Sequence, residues 1–407
     1  MKQLSRRAIL HLCSVGLLSS VVPVRQALAL TDFQRWQTEK GTDFERWQAQ
    51  RDADIERYHR QYTAAFEQFK KSLEPDWGKT PDTKSRSAWI DYQSGGRRRL
   101  DFEKGQADVT VIQPPGETME QTVARARAQM QAMFESRRQE FLQRDPVERQ
   151  LAALSQPGLA PQPSSTPQAS TPPVSQTPPS TTTHTALERP FEHLKPAADE
   201  ISKAKVEQVQ LPTGKPAVRV AVPVRKSLIK KRAPFLADIR KRSSQYRVHE
   251  SLISAVIQAE SYFNPMATSH IPAYGLMQIV PSSAGQDVTE YLYKRQIMLS
   301  ADWLYNPENN ILAGSTYLYL LSNRYLAGIN NPLSLQHCTV AAYNTGPGNL
   351  ARAFVGKRKV GAAISKINTM TPEQVYDHLR RYLPYEETQH YIVKVSKFQK
   401  SWAELSG

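Results

Sequence analysis

Glu260 is the residue in this sequence best placed for acid–base chemistry. Residues Glu250 to Phe263 read as a helix whose buried face is set by Ile253, Val256 and Ile257. Glu260 lies three residues beyond Ile257 and four beyond Val256, so the helical period puts its carboxyl on that apolar face. Asn264-Pro265 ends the helix, which leaves Glu260 in the last turn, near the negative end of the helix dipole. Desolvation and dipole both disfavour the anion and raise the pKa. A general acid needs this to carry a proton near neutrality. Taken alone the signal is weak, because a glutamate at an apolar helix end is more often a partly exposed or hydrogen-bonded side chain.

Two further segments strengthen it. Gly275-Leu276-Met277-Gln278-Ile279-Val280-Pro281 reads as an extended apolar strip with one amide donor. Ala341-Ala342-Tyr343-Asn344-Thr345-Gly346-Pro347-Gly348 sets a tyrosine and an amide at a helix end before a glycine turn. Polar groups beside apolar ones are what a sugar cleft uses, with amides on hydroxyl and acetamido groups and apolar faces over the rings.

In order and spacing, Glu260-Ser261-Tyr262-Phe263-Asn264-Pro265, Gly275-Leu276-Met277-Gln278-Ile279 and Ala342-Tyr343-Asn344 resemble the signature motifs of the soluble-lytic-transglycosylase-type catalytic domain. A fourth stretch, Leu383-Pro384-Tyr385-Glu386-Glu387-Thr388 with Tyr391, resembles the C-terminal motif of that family. The catalytic resemblance covers roughly residues 230 to 400. A weaker, patchy one, in Ile367-Asn368-Thr369-Met370-Thr371-Pro372 and in the stretch Trp77 to Ile112, is to a membrane-bound member.

The resemblance implies a lysozyme-like, all-α catalytic domain that cleaves the glycan strands of peptidoglycan without metal or cofactor. It implies Glu260 as the sole catalytic acid/base, and Ser269 as a hydrogen-bond partner of that carboxyl or of the substrate. Met277 and Gln278 would line the cleft against the sugar rings. Tyr343 would orient the Glu260 carboxyl or steady developing charge, with Asn344 supporting it, and Glu387 and Tyr391 would be cleft residues. Thr345 departs from the pattern, standing where a small Ala or Gly is usual.

Ordinary glycosidases use two carboxylates. Glu250, ten residues before Glu260, is rotated well away from its face, and no other acid is obviously placed by sequence. A lytic transglycosylase manages with one, because the muramic 6-hydroxyl attacks within the substrate and leaves a 1,6-anhydro end. Two alternatives stay open at this point: a hydrolytic lysozyme or chitinase on the same fold, and an envelope scaffold that only binds glycan. The histidines are scattered and lack a metal-ligand spacing. His270 reads as loop surface or a substrate contact, and Cys338 as a core residue.

The rest of the chain organises around this half. Lys2, Arg6 and Arg7 precede an apolar run from Ala8 to Leu18, and Ala27-Leu28-Ala29 offers a cleavage site, the layout of a secretory signal over residues 1–29. Ser5-Arg6-Arg7-Ala8-Ile9-Leu10 also resembles a twin-arginine signal, and Cys13, preceded by Leu12, does not fit a lipoprotein anchor. The expectation is an exported, periplasmic protein, with association to the outer membrane open. A net charge of +15 asks for an anionic partner. Export excludes nucleic acid and leaves murein, anionic envelope lipids or other cell-wall proteins.

Residues 30–73 carry Phe33/Trp36, Phe44/Trp47, Ile55/Tyr58 and Phe66/Phe69 at a spacing of eleven, about three helical turns. That is a helix docking on a partner or on its own domain, or presenting Trp36 and Trp47 to glycan. Residues 74–226 read as a small α/β domain. It has strands around Trp89-Tyr92, Leu100-Phe102 and Val109-Val111 and a helix from Glu117 to Arg144. A Pro/Ser/Thr-rich segment over about 156–185 should be disordered. The alternating Val218, Val220, Val222 and Val224 either return to the same sheet or follow a plain linker. Residues 227–407 form the helical catalytic domain. The fold expectation is thus mainly α, a lysozyme-like domain behind a small α/β domain and an aromatic-repeat helix.

Overall fold

Alternating apolar residues and tight glycine turns build a five-stranded antiparallel sheet in the computed structural model, which describes residues 56–79, 81, 83, 85–154, 188–269 and 272–406. The strands are β1 (Ala88–Gln93), β2 (Gly96–Asp101), β3 (Gln106–Ile112), β4 (Lys205–Gln210) and β5 (Pro216–Pro223), in the order β1-β2-β3-β5-β4. Positive φ at Ser94 and Gly95 closes the β1–β2 hairpin in the sense that matches strand twist. Val109 stands opposite Val220 and Val111 opposite Val218. The alternating valines therefore enter the sheet beside the strand that precedes residues 155–187, and that stretch lies outside the described residues.

A helix, α1, runs through residues 56–77. Phe69 and Trp77 meet the β1 residue Tyr92 edge-on. Nearer its start, Tyr58 Oη lies 2.9 Å from Tyr274 Oη. The helix thus touches the helical half near its start and the sheet near its end. Trp36 and Trp47 lie outside the described residues, as does the signal-like stretch 1–29.

Helix α2 (Met119–Glu135) opens with a Thr118/Gln121 capping box and lays Met130, Met133 and Phe134 into the core under the sheet. The single helix expected to Arg144 is instead broken at Ser136 and Arg137, both extended. The break lets Arg138 N–H donate to Glu188 O at 2.7 Å. It also aims Phe141 of α3 (Arg138–Arg144) at Trp89 and Phe191, an aromatic cluster that helical continuity would not build. Helix α4 (Pro146–Leu154) and α5 (Ala198–Ser202) complete this half.

The C-terminal half is helical: α6 (Leu228–Arg232), α7 (Leu236–Tyr246), α8 (Glu250–Ser261), α9 (Ala284–Tyr293), α10 (Ala301–Tyr305), α11 (Pro307–Leu320), α12 (Pro332–Thr345), α13 (Pro347–Val355), α14 (Val360–Ile367), α15 (Pro372–Tyr382) and α16 (Glu386–Ser406). Two Asn-Pro pairs, Asn306-Pro307 and Asn331-Pro332, are helix starts. Asn306 and Asn331 accept hydrogen bonds from the first-turn amides of α11 and α12, and the proline fills the position whose N–H would be unpaired.

Helix α8 is the axis of this half. Every residue from Ser251 to Ser261 is buried, and α16 packs along it. Trp402 Nε1 of α16 donates to Gln258 Oε1 at 2.8 Å, with the Arg232 guanidinium 4.5 Å over the ring. Lys231 donates to the Phe102 carbonyl at the end of β2. One buried apolar core runs from the sheet into the helices. The fold is mainly α with one small antiparallel sheet, and the sheet half shares that core.

Candidate active site

Two consecutive residues at positive φ, Tyr262 (52°) and Phe263 (68°), reverse the chain immediately after α8. Asn264 Oδ1 accepts from Met266 N at 3.0 Å to shape the next turn. Ser261 Oγ donates to Leu276 O at 2.8 Å, which joins the end of α8 to the Gly275 segment. That segment is a tight turn, where the sequence suggested an extended strip. Tyr274 and Ile279 pair across it, and Gly275 and Gln278 both take positive φ. Asn310 of α11 holds it from behind. Its Nδ2 donates to Tyr274 O (2.7 Å) and Leu304 O (2.8 Å), while its Oδ1 accepts from Met277 N (2.7 Å). With its donors and acceptor all used, a buried asparagine fixes three points of irregular backbone.

Glu260 ends this construction with only 4% of its surface exposed. Burial is the main influence on its carboxyl; Arg86 and then Tyr391 pull the other way, Glu387 adds to the rise, and the result is a pKa of about 6 against the ordinary 4.5. Arg86 Nη1 lies 3.5 Å from Glu260 Oε2, and its Nη2 reaches Glu387 on the rim. The buried Tyr391 phenol stands beside the carboxyl outside full hydrogen-bond geometry. Burial and the neighbouring Glu260 hold it protonated.

The other residues singled out by sequence are distributed as follows. Tyr343 is buried, with its pKa raised by burial first and then by Glu260. Its hydroxyl donates to Met277 O at 2.8 Å, so its proton goes to the turn and not to the carboxyl. Met277 is itself fully buried, its side chain against Gly314 of α11, and its carbonyl accepts from Tyr343 Oη. The sequence expectation of a methionine against sugar rings differs from this placement: a helix glycine leaves room behind the turn for the thioether. Gln278 Nε2 donates to Ala267 O and Gly275 O, while its buried Oε1 has no partner among the described residues.

Asn344 Oδ1 accepts from Thr388 Oγ1 at 2.7 Å, linking α12 to α16. Ser269 donates its backbone N–H to Ala273 O and accepts from Tyr62 Oη at its carbonyl, facing α1. Cys338 is fully buried with its thiol pKa pushed up by burial. His270 lies outside the described residues. Among those described, no group of His, Cys, Asp and Glu is arranged to hold a metal ion.

The structure thus brings Glu260, Tyr343, Glu387 and Tyr391 together and ties Met277 to them through its carbonyl. Sequence reasoning missed Arg86. It is one of 53 Lys and Arg residues, and nothing in its own neighbourhood marks it, because both partners lie far along the chain. Tyr343→Phe should leave the Met277 carbonyl unpaired and cost roughly 1–3 kcal/mol in a urea titration. Turnover should fall ~10- to 100-fold, since small displacements of reacting groups carry penalties of that size.

Residues 238–365, which include Glu260 and Tyr343, match the family model of the Transglycosylase SLT domain. This part of the chain is thus similar to the SLT-type transglycosylase domain. Its relatives include the membrane-bound lytic murein transglycosylase C of Actinobacillus succinogenes, 41% identical over 202 residues (49% of this chain, 56% of the relative). Those of Mannheimia succiniciproducens (44% over 168 residues; 41% and 46%) and Haemophilus influenzae (42% over 199 residues; 49% and 55%) match similarly. The matches thus span about half the length of these curated relatives. Among solved structures, the 70 kDa soluble lytic transglycosylase of Escherichia coli is similar at 23% identity and a TM-score of 0.34, covering 44% of this chain and 26% of that one.

Proposed function

We propose that the protein is a peptidoglycan lytic transglycosylase that cleaves the β-1,4 bond between N-acetylmuramic acid and N-acetylglucosamine and leaves 1,6-anhydromuramic ends. The observation that carries this reading is Glu260, buried at the end of α8 with a pKa of about 6, inside an SLT domain. At that pKa the carboxyl exchanges a proton readily near neutrality, which suits a group that must act first as acid and then as base. Glu260 protonates the bridging oxygen as the bond breaks. The resulting carboxylate then takes the proton of the muramic 6-hydroxyl, whose oxygen closes on C1. No water is consumed, and because the attacking group is already tethered, effective molarity supplies much of the rate.

Ser269, Gln278, Tyr343, Asn344, Glu387 and Tyr391 serve as substrate-binding or supporting groups in this reading, with Gln278 Oε1 an acceptor for a sugar hydroxyl or acetamido N–H. Met277 contributes its carbonyl. Export to the periplasm rests on the pattern of the first thirty residues, and envelope association on the membrane-bound relatives. No helix among the described residues is long and apolar enough to cross a membrane. The +15 charge favours a place near murein carboxylates or anionic lipid headgroups.

One observation favours a second reading, a hydrolase: Glu387 shares Arg86 with Glu260 and could serve as a second carboxylate. Mass spectrometry of digested murein decides between them. Products lighter by one water, with no reducing end, are expected, and reducing ends would make the protein a hydrolase.

A further inference from the structure

Arg86 reaches the site from outside the SLT domain. It precedes β1, and its main chain is held from two directions. Ser85 N–H donates to Ala88 O, and Ala88 N–H to Ser85 Oγ, on the sheet side. Asn264 Nδ2, in the turn that follows α8, donates to the Arg86 carbonyl at 3.4 Å. A short tether thus delivers the guanidinium to a fixed point, where one nitrogen stands 3.5 Å from Glu260 Oε2 and the other meets Glu387.

We infer that Arg86 is a positioning residue through which the sheet half sets the proton affinity and orientation of Glu260, with Glu387 dividing its charge. This rests on the reading of Glu260 as the acid. A buried carboxyl beside a lone guanidinium would be a permanent carboxylate and could not donate. The same carboxyl with no cation would hold its proton too tightly to return as a base. The rim carboxylate, 62% exposed, draws part of the Arg86 charge away and leaves Glu260 between these limits. The remaining groups that face Glu260 are the Tyr343 and Tyr391 phenols, both held neutral, and the Lys394 ammonium, which donates to Ala259 O at 3.2 Å.

The arrangement makes two substitutions act in opposite directions. Arg86→Met removes the cation and should raise the Glu260 pKa by ~0.5 to 1 unit, a discounted value because the guanidinium is 38% exposed. Glu387→Gln returns the whole cation to Glu260 and removes a neighbouring anion, so the pKa should fall. Arg86→Lys keeps the charge and should restore most of the parental value.

The test is a carbon-13 NMR titration of the Glu260 carboxyl in the full chain, assigned by its loss in Glu260→Gln. It is paired with the pH profile of anhydro-product formation. The expected result is a rise, a fall and a near-return across the three variants, with the alkaline limb of activity following. If Arg86→Met leaves the titration unmoved, or if Arg86→Met and Glu387→Gln shift it the same way, Arg86 is only a structural tie and the inference is overturned. Because the titration needs no turnover, it judges Arg86 even if murein digestion were to show no anhydro ends, the result that would sink the functional reading instead.

Discussion

Glu260→Gln is expected to abolish lysis of purified murein, with a loss of at least ~10²- to 10⁴-fold, the typical worth of acid–base assistance. The amide is nearly isosteric with the carboxyl but cannot donate a proton to the glycosidic oxygen or take one from the 6-hydroxyl. The same substitution should stabilise the fold. The Glu260 carboxyl titrates at about 6 in the folded chain against an ordinary 4.5. Its folded-state pKa is raised, so its contribution to stability is fully present below pH 4.5 and is lost as pH rises through 6. The penalty on the alkaline side is roughly 2 kcal/mol. The substituted amide carries no such charge, and Arg86 keeps Glu387 as its partner. Thermal unfolding at pH 8 should therefore occur at a higher temperature in Glu260→Gln than in the parent, with the advantage vanishing near pH 4. A variant that is both inactive and less stable at pH 8 would show that the carboxylate is well solvated or well paired, contrary to its burial.

Gly275→Ala is the substitution with the largest expected cost to the scaffold. Gly275 sits at φ +75°, and a methyl group there would fall well inside van der Waals contact with Asn310 Nδ2 and the Leu304 carbonyl. Neither yields cheaply: one is backbone, and the other makes three hydrogen bonds that organise the turn. Left-handed backbone costs a β-carbon roughly 1–2 kcal/mol, and overpacking adds about 1–3 kcal/mol. The sum is measurable by urea denaturation. Gly95→Ala is the control. It takes a similar φ of +67° with nothing within 4 Å of the added carbon, so it should cost only the conformational part. The turn also presents the Met277 carbonyl to Tyr343, so Gly275→Ala should lose activity before it loses its fold, whereas Gly95→Ala should keep it. Equal effects of the two substitutions would remove the argument for close packing at Gly275.

Much of the site was legible in the sequence because it is encoded locally. The 3.6-residue period placed Glu260 on the buried face of α8, and burial, the main cause of its raised pKa, followed from that; Asn264-Pro265 placed it in the last turn. The alternation of Val218, Val220 and Val222 marked a strand, though only the sheet decided that it pairs with β3. The helix expected to run to Arg144 is broken at Ser136 and Arg137, and beyond the break Phe141 packs on Trp89 and Phe191, contacts that no local pattern announces.

The amino-acid order by itself determined the place of Glu260, its helix and the tyrosine at the end of α12, since each depends on neighbours a few residues away, but not the turn at Gly275, which reads as an extended strip. Tertiary structure alone decided what surrounds the acid. It placed Arg86 against Glu260 and Glu387, sent the Tyr343 proton to the Met277 carbonyl, and turned the Met277 side chain into the space above Gly314. Such pairings join segments whose separation carries no periodic signal. They exist only after the sheet and the helices have closed on a common core, where a charge or a carbonyl left without a partner would be too costly to bury.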